Sequence, residues 1–180
     1  MGVVSSSNIL YLNVSSGFLV NKKKEISVRG YEGILLKIER KTDDFEGNPV
    51  EKIVLVMKDT KSDEIAHITF TEESWYCATI FPRLDLCDPT KPMTIGVSGS
   101  DKENSKASFA WLKQGSETIK IEKGSYPVPE KVKVGKKEVQ SWEKVLENAA
   151  KIMDRINGSL GEVDSAGDDA TEVPKDDLPF

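Results

Sequence analysis

Three stretches in which apolar and polar residues alternate constrain the fold of this chain most strongly. They occupy residues 27–41, 52–58 and 65–71. Alternation with a period of two is typical of strands that bury one face. Turn-forming residues such as Gly47 and Asn48 separate the stretches. The pattern therefore predicts three consecutive antiparallel strands.

The same alternation predicts which side chains face the interior. The expected inner residues are Ile34, Leu36 and Ile38 in the first strand, and Ile53, Leu55 and Met57 in the second. Gly30 and Gly33 lie near the start of the first strand, and glycines there favour the bulge or sharp coil that a small barrel needs to close.

The pattern changes after residue 71, where Trp75, Thr79 and Phe81 indicate a helix that Pro82 would kink. Shorter strands are predicted at 93–97, 107–113 and 118–122. The resulting order β-β-β-α-β-β is that of the oligonucleotide/oligosaccharide-binding (OB) fold. We therefore predict a mainly β chain with a five-stranded OB barrel over 27–134 and a helix between its third and fourth strands.

Two further segments flank the predicted barrel. Residues 1–26 predict an N-terminal arm with short extended pieces. Residues 135–157 predict an amphipathic helix, with apolar residues spaced three and four apart. That stripe consists of Val139, Trp142, Leu146, Ala149, Met153 and Ile156. It could cover the barrel or a second copy, and we favour the barrel because the helix is short for an independent coiled coil.

The last segment, 158–180, has the composition of a disordered acidic tail. It contains seven acids and one base, Lys175, together with mostly small residues. The chain as a whole has a net charge of −5, so residues 1–157 are nearly neutral. Any nucleic-acid site must therefore come from local clustering of cations rather than from a strongly basic domain.

The tail ends in a short apolar tip that suits capture by another protein. Pro179 restricts Leu178 to extended backbone, and Phe180 offers an aromatic anchor beside its own α-carboxylate. Asp176 and Asp177 would face a basic rim on the partner. The alternative is an acidic solubilising tail with an incidental apolar end.

The tip Asp176-Asp177-Leu178-Pro179-Phe180 resembles the C-terminus of bacterial and phage single-stranded-DNA-binding proteins. The body is similar in arrangement to a group of the phage proteins, with its extended N-terminal segment, barrel and central helix. The resemblance implies an OB barrel that holds DNA and a tail that recruits replication and recombination proteins. The chain lacks the long linker of the common bacterial proteins and adds a helix, so their tetrameric assembly is not carried over.

Aromatic rings and lysines on one strand face provide a candidate DNA track. Phe109 and Trp111 share a face with Lys113, and Lys106 lies nearby. Bases of single-stranded DNA stack on such rings while cations follow the phosphates. The alternative is that one or both rings fill the barrel, which is more plausible for Phe109 than for Trp111.

Other candidate DNA-binding residues are scattered along the predicted arm and the first strands. They are Lys22, Lys23, Lys24, Arg29, Tyr31, Lys37, Arg40 and Lys58. A run such as 22–24 can track phosphates, although short lysine runs are commonly just solvated.

The chain shows no constellation typical of an enzyme or a metal site. His67 is the single histidine, and Cys77 and Cys87 lack zinc spacing. Two free thiols are consistent with a reducing compartment, although the sequence also allows one disulfide between them. We expect no cofactor, no metal and no membrane segment, and a cytoplasmic protein, in the host cell if phage-encoded. We predict sequence-independent coating of single-stranded DNA. The first alternative is a replisome scaffold with little DNA affinity, and the second is a regulator whose acidic tail imitates nucleic acid in the groove of another protein.

Overall fold

The computed structural model describes the backbone of residues 8–176 and the side chains of residues 8–161. The strands are β1 (Ile9–Ser15), β2 (Phe18–Asn21), β3 (Ile26–Val28), β4 (Gly30–Phe45), β5 (Asn48–Asp59), β6 (Ile65–Thr71), β7 (Met93–Gly99), β8 (Ser108–Gln114), β9 (Glu117–Thr118), β10 (Glu130–Val134) and β11 (Lys137–Ser141). The helices are α1 (Trp75–Leu86) and α2 (Glu143–Asp176). The predicted partner-binding residues Asp177, Leu178, Pro179 and Phe180 lie outside the described residues.

One curled, half-barrel sheet organises the described chain. Its nine strands follow the order β3-β2-β1-β6-β5-β4-β7-β8-β9. Neighbouring strands are antiparallel except for β1 and β6, which are parallel. The prediction of a mainly β chain is confirmed, but a five-stranded sheet was too small because the N-terminal strands join the same sheet.

The alternating stretches form the three consecutive antiparallel strands β4, β5 and β6, as predicted. Ile53, Leu55 and Met57 on the inner face of β5 are fully buried. Helix α1 follows β6, and Ser74 caps its first turn by accepting a hydrogen bond from the Cys77 N–H at 3.1 Å. Cys77 and Cys87 are both free thiols.

The predicted inner face of β4 was wrong in part. Its pairing with β5 slips between Leu35 and Lys37, which marks a β-bulge at Leu36. A bulge adds one residue and so shifts the alternation. Leu35 and Ile38 are therefore buried, whereas Leu36 remains 37% exposed.

Helix α2 docks on the sheet at this bulge. The side chain of Asn157 accepts a hydrogen bond from the Ile38 N–H at 2.9 Å and donates one to the Ile38 carbonyl at 2.8 Å. Ala149, Met153 and Ile156 of the predicted stripe join the core. The expectation that this helix covers the sheet is thus confirmed.

The predicted bounds of this helix need correction at both ends. Residues 137–141 form β11, which pairs with β10 in a separate hairpin, and the side chain of Val139 is 43% exposed. The helix starts only at Glu143 and continues past Gly158 to Asp176, through most of the predicted disordered tail. Leu160 explains the first extra turn, because it is buried in the core one turn after Ile156.

From Ile9 onward, the segment predicted as a separate N-terminal arm contributes strands β1, β2 and the start of β3 to the sheet. Strand β1 pairs with β6, and Leu10 and Leu12 point into the core. The curl of the sheet brings the β1–β2 turn against the end of the β7–β8 hairpin, where the Gly17 N–H donates to Ser108 Oγ at 2.9 Å. This contact ties the two sides of the half-barrel together.

We expect Gly17→Ala to weaken this contact for two reasons. Gly17 has φ +85°, and an added Cβ would lie 2.8 Å from the Gly99 nitrogen. Gly47 is a matched control, because its φ is +82° with nothing within 4 Å. In urea unfolding, Gly47→Ala should lower the free energy of unfolding by about 1 kcal/mol. Gly17→Ala should lower it by the same amount plus ~1–3 kcal/mol, because its added Cβ overpacks the contact. Equal losses would show that the close approach does not matter.

Candidate nucleic-acid interface

The outer face of β8 carries the predicted ring-and-lysine set. Ala110 and Leu112 point into the core, so Phe109, Trp111 and Lys113 share the opposite face. Phe109 is therefore not in the barrel interior, which was the alternative considered from sequence.

The indole ring of Trp111 packs against the backbone of two glycines, which leave room for it because they carry no side chains. Its cross-strand partner is Gly96, and Gly96 in turn pairs with Gly30. A methyl group on Gly96 would overlap the indole, and one on Gly30 would lie 3.0 Å from it. Lys113 Nζ is 5.9 Å from the ring centroid, within cation–π range. The half-buried indole is thus held between glycine backbone and an ammonium group.

Phe109 belongs to a different aromatic cluster. Its ring centroid is 5.8 Å from that of Trp75, and Trp75 lies edge-on to Trp142 at 5.9 Å. Trp142 immediately precedes α2 and lies outside the main core cluster. Lys106 lines a cleft together with the two tryptophans. Phe109 and Lys106 are therefore close to this cluster rather than to Trp111.

Most of the predicted cations on β4 and β5 already have partners. The ion pairs are Lys37 Nζ–Glu39 Oε1 at 2.6 Å, Arg40 Nη2–Glu72 Oε1 at 2.9 Å and Lys58 Nζ–Asp63 Oδ1 at 3.7 Å. The Arg40 pair is structural, because Glu72 is buried and would lose its compensating charge. The guanidinium of Arg29 lies 4.7 Å from the Phe18 ring centroid. These residues do not gather in one track.

Tyr31 also makes its contacts within the protein. Its hydroxyl donates to Glu64 Oε1 at 3.4 Å, and its ring packs against the core. Burial, reinforced by the charges of Glu64 and Asp59, raises the pKa of Tyr31 to about 12. The Tyr31 ring is half-buried and already engaged with the core and with Glu64, so it is not part of a stacking surface.

An open groove of about 780 Å³ brings exposed rings and lysines together. It lies where β1, β2 and β6 meet the protruding β4–β5 hairpin. Tyr11 is 56% exposed and Phe45 is 65% exposed, the two most accessible rings that line it. On its other side, Tyr11 contacts His67 edge-on at 5.3 Å between centroids. The rings are thus available to a ligand that enters the groove.

Three lysines line the same groove: Lys22, Lys23 and Lys52. Lys22 and Lys23 were predicted, and Lys24 follows them as an exposed residue of the same turn. Lys52 Nζ lies 3.0 Å from Asp43 Oδ2. This hydrogen bond, helped by Lys41, holds the pKa of the Asp43 carboxyl below its usual value. Asp43 therefore offsets part of the positive charge, which rests mainly on the β2–β3 turn.

Sequence analysis missed Tyr11, Phe45 and Lys52, although the sequence contains a signal for two of them. Tyr11 stands between two leucines of an alternating strand, so it must point outward. Phe45 precedes Glu46-Gly47, a two-residue turn with φ values of +51° and +82° that projects the ring from a hairpin tip.

Comparisons with protein-family models, curated proteins and solved structures found no match. Within the described part of the chain, no three His, Cys, Asp or Glu side chains are grouped as metal ligands. None of the helices among those residues is long and apolar enough to cross a membrane.

The packing of Trp111 against Gly96 leads to a testable prediction about a substitution in β7. Gly96→Ala should expel the indole, cost about 1–3 kcal/mol of unfolding free energy and shift tryptophan emission to the red. Gly99→Ala is the control on the same strand, because its added Cβ would meet only the Gly17 Cα, at 3.8 Å. Emission should be recorded beside urea unfolding. If Gly96→Ala leaves both unchanged, Trp111 is not packed on the glycines.

Proposed function

We propose that the protein binds single-stranded DNA without sequence preference, along the groove between Tyr11 and Phe45. The observation that carries this proposal is the coincidence of two exposed rings with lysines in one open groove. Stacking on an aromatic ring contributes about 1–3 kcal/mol per base and tolerates every base. Lysine ammonium groups beside the rings suit the phosphates that connect stacked bases.

We further propose that β4–β8 with α1 is a variant of the OB fold. In support, β4 pairs with β5 and β7, β5 with β6, and β7 with β8, while α1 connects β6 to β7. It would differ from other OB folds where the barrel closes. Here β1 pairs in parallel with the edge of β6 that does not face β5. The groove flanks this N-terminal addition, next to the β5–β6 surface that OB folds commonly use for oligonucleotides.

The C-terminal tip supplies the second half of the proposal. The resemblance of Asp176-Asp177-Leu178-Pro179-Phe180 to the tips of single-stranded-DNA-binding proteins supports recruitment of replication and recombination proteins. We place this activity in the cytoplasm, of an infected host cell if the chain is phage-encoded. The role is protection and delivery of DNA, without a catalytic step.

A second candidate function is a replisome scaffold with little DNA affinity of its own. It is favoured by the charge distribution, because Lys37, Arg40, Lys52 and Lys58 are all ion-paired with neighbouring acids. The chain would then act through its tail alone. Direct binding measurements separate the two functions.

We expect labelled oligo-dT to bind more tightly than duplex DNA. Tyr11→Ala and Phe45→Ala should each weaken binding by about 1–3 kcal/mol, because each removes an exposed ring without touching the core. Lys23→Ala should reduce the dependence of log K on log salt by about 0.7. Lys37→Ala is the matched control, since its ammonium is paired with Glu39 outside the groove.

Fluorescence anisotropy at several salt concentrations measures all of these effects. Equal affinity for duplex, or no binding at low salt, would reject DNA coating in favour of the scaffold. Unchanged affinity of both ring variants would place the DNA elsewhere on the surface.

The tip is tested separately by its partners. Phe180→Ala should abolish most capture of replication proteins in a pull-down, because a single anchor ring carries a large share of a short peptide's affinity. Val173→Ala, an apolar truncation before the tip, should leave capture intact. Oligo-dT affinity should stay the same in both variants. Retention of the same partners by Phe180→Ala would leave only the solubilising role for the tail.

A further inference from the structure

A second, smaller cleft of about 370 Å³ lies beside the groove. Trp75 at the start of α1 and Trp142 before α2 form one wall, and both rings are half-buried. Lys106, from the loop between β7 and β8, lies at the same cleft and is exposed. No ion pair to Lys106 is found among residues 8–161. The cleft thus combines aromatic surface with an exposed ammonium group that forms no ion pair within this part of the chain.

The cleft and the groove are neighbours. They share four lining residues at their boundary: Val14, Ser15, Phe70 and Thr71. A ligand that leaves the groove past the end of β1 therefore enters the cleft over a common floor. The rings at the two ends belong to elements that are far apart in sequence.

We infer that a bound single strand continues from the groove into this cleft and stacks a base on the Trp75–Trp142 pair. The inference rests on the proposed function and extends it to a second stacking subsite. The two indoles meet edge-to-face, with an interplanar angle of 76°, so they hold each other in place. A half-buried indole fixed in this way loses little freedom when a base stacks on it.

The polar groups of the cleft fit a nucleotide. Lys106 neutralises the phosphate that follows the stacked base. Glu73 also lines the cleft, and its carboxylate repels phosphate but accepts a hydrogen bond from a base N–H, such as the N3–H of thymine or the amino group of cytosine. The backbone of the strand therefore lies on the Lys106 side, with the base directed toward the indoles.

Oligonucleotide length separates the two subsites. An oligo-dT of about 4 nucleotides can occupy the groove alone, whereas one of about 12 can reach both, within the range of single OB-fold site sizes. Trp142→Ala should weaken binding of the long oligonucleotide by about 5- to 150-fold, the equivalent of one stacked base. It should leave the short one unaffected. Tyr11→Ala should weaken both.

Lysine variants in the β7–β8 loop provide the control that does not depend on folding. Lys106→Ala should lower the salt dependence of long-oligonucleotide binding by about 0.7. Lys102→Ala, an exposed residue of the same loop outside the cleft, should not. Trp142→Phe should retain most of the affinity, because it keeps a ring.

The outcomes distinguish this inference from the proposed function. If Tyr11→Ala weakens binding while Trp142→Ala and Lys106→Ala act like Lys102→Ala, DNA binds the groove but not the cleft, and the inference is wrong. An equal effect of Trp142→Ala on both lengths would also overturn it. If neither length binds to the wild type, the proposed function itself is rejected.

Discussion

The fold depends on the double pairing of β4. This strand pairs with β5 along most of its 16 residues and with β7 at its first four. The two pairings have only Gly33 in common, so β4 passes from β7 to β5 along its length, and the bulge at Leu36, which bends the strand, lies just after this point. Asn157 then satisfies both backbone groups of Ile38 beside the bulge. Helix α2 is thereby fixed beside the bulge.

The curl has a direct consequence for the surface. It brings the β1–β2 turn to the end of the β7–β8 hairpin, where Gly17 meets Gly99 and Ser108. The groove and the tryptophan cleft lie on either side of the end of β1. Their rings come from strands, hairpin tips and helix starts that only this curvature makes adjacent.

The charged side chains form local ion pairs and small clusters and do not make a uniformly positive surface. Acids accompany the lysines of β4 and β5, and even Lys52 in the groove is paired with Asp43. The turn lysines Lys22 and Lys23, together with Lys106, are among the cations placed beside exposed or half-buried rings. In the proposed function, a nearly neutral domain with such clusters would hold nucleic acid mainly through stacking, and its affinity would depend less on salt than that of a strongly basic protein.

Local pattern alone determined the alternating strands, helix α1, the common face of Phe109, Trp111 and Lys113, and much of the buried face of α2. These follow from periodicity, which each segment carries by itself. The bulge at Leu36, the membership of β1 in the sheet and the extension of α2 past Gly158 were decided by tertiary structure. Each depends on a partner distant in sequence: β5 for the bulge, β6 for β1 and the core around Leu160 for the helix. The candidate site divides in the same way. Sequence identified Lys22 and Lys23 as candidate phosphate contacts, but only the assembled sheet placed them beside Tyr11 and Phe45, because residues from separate strands share a groove only after those strands pair.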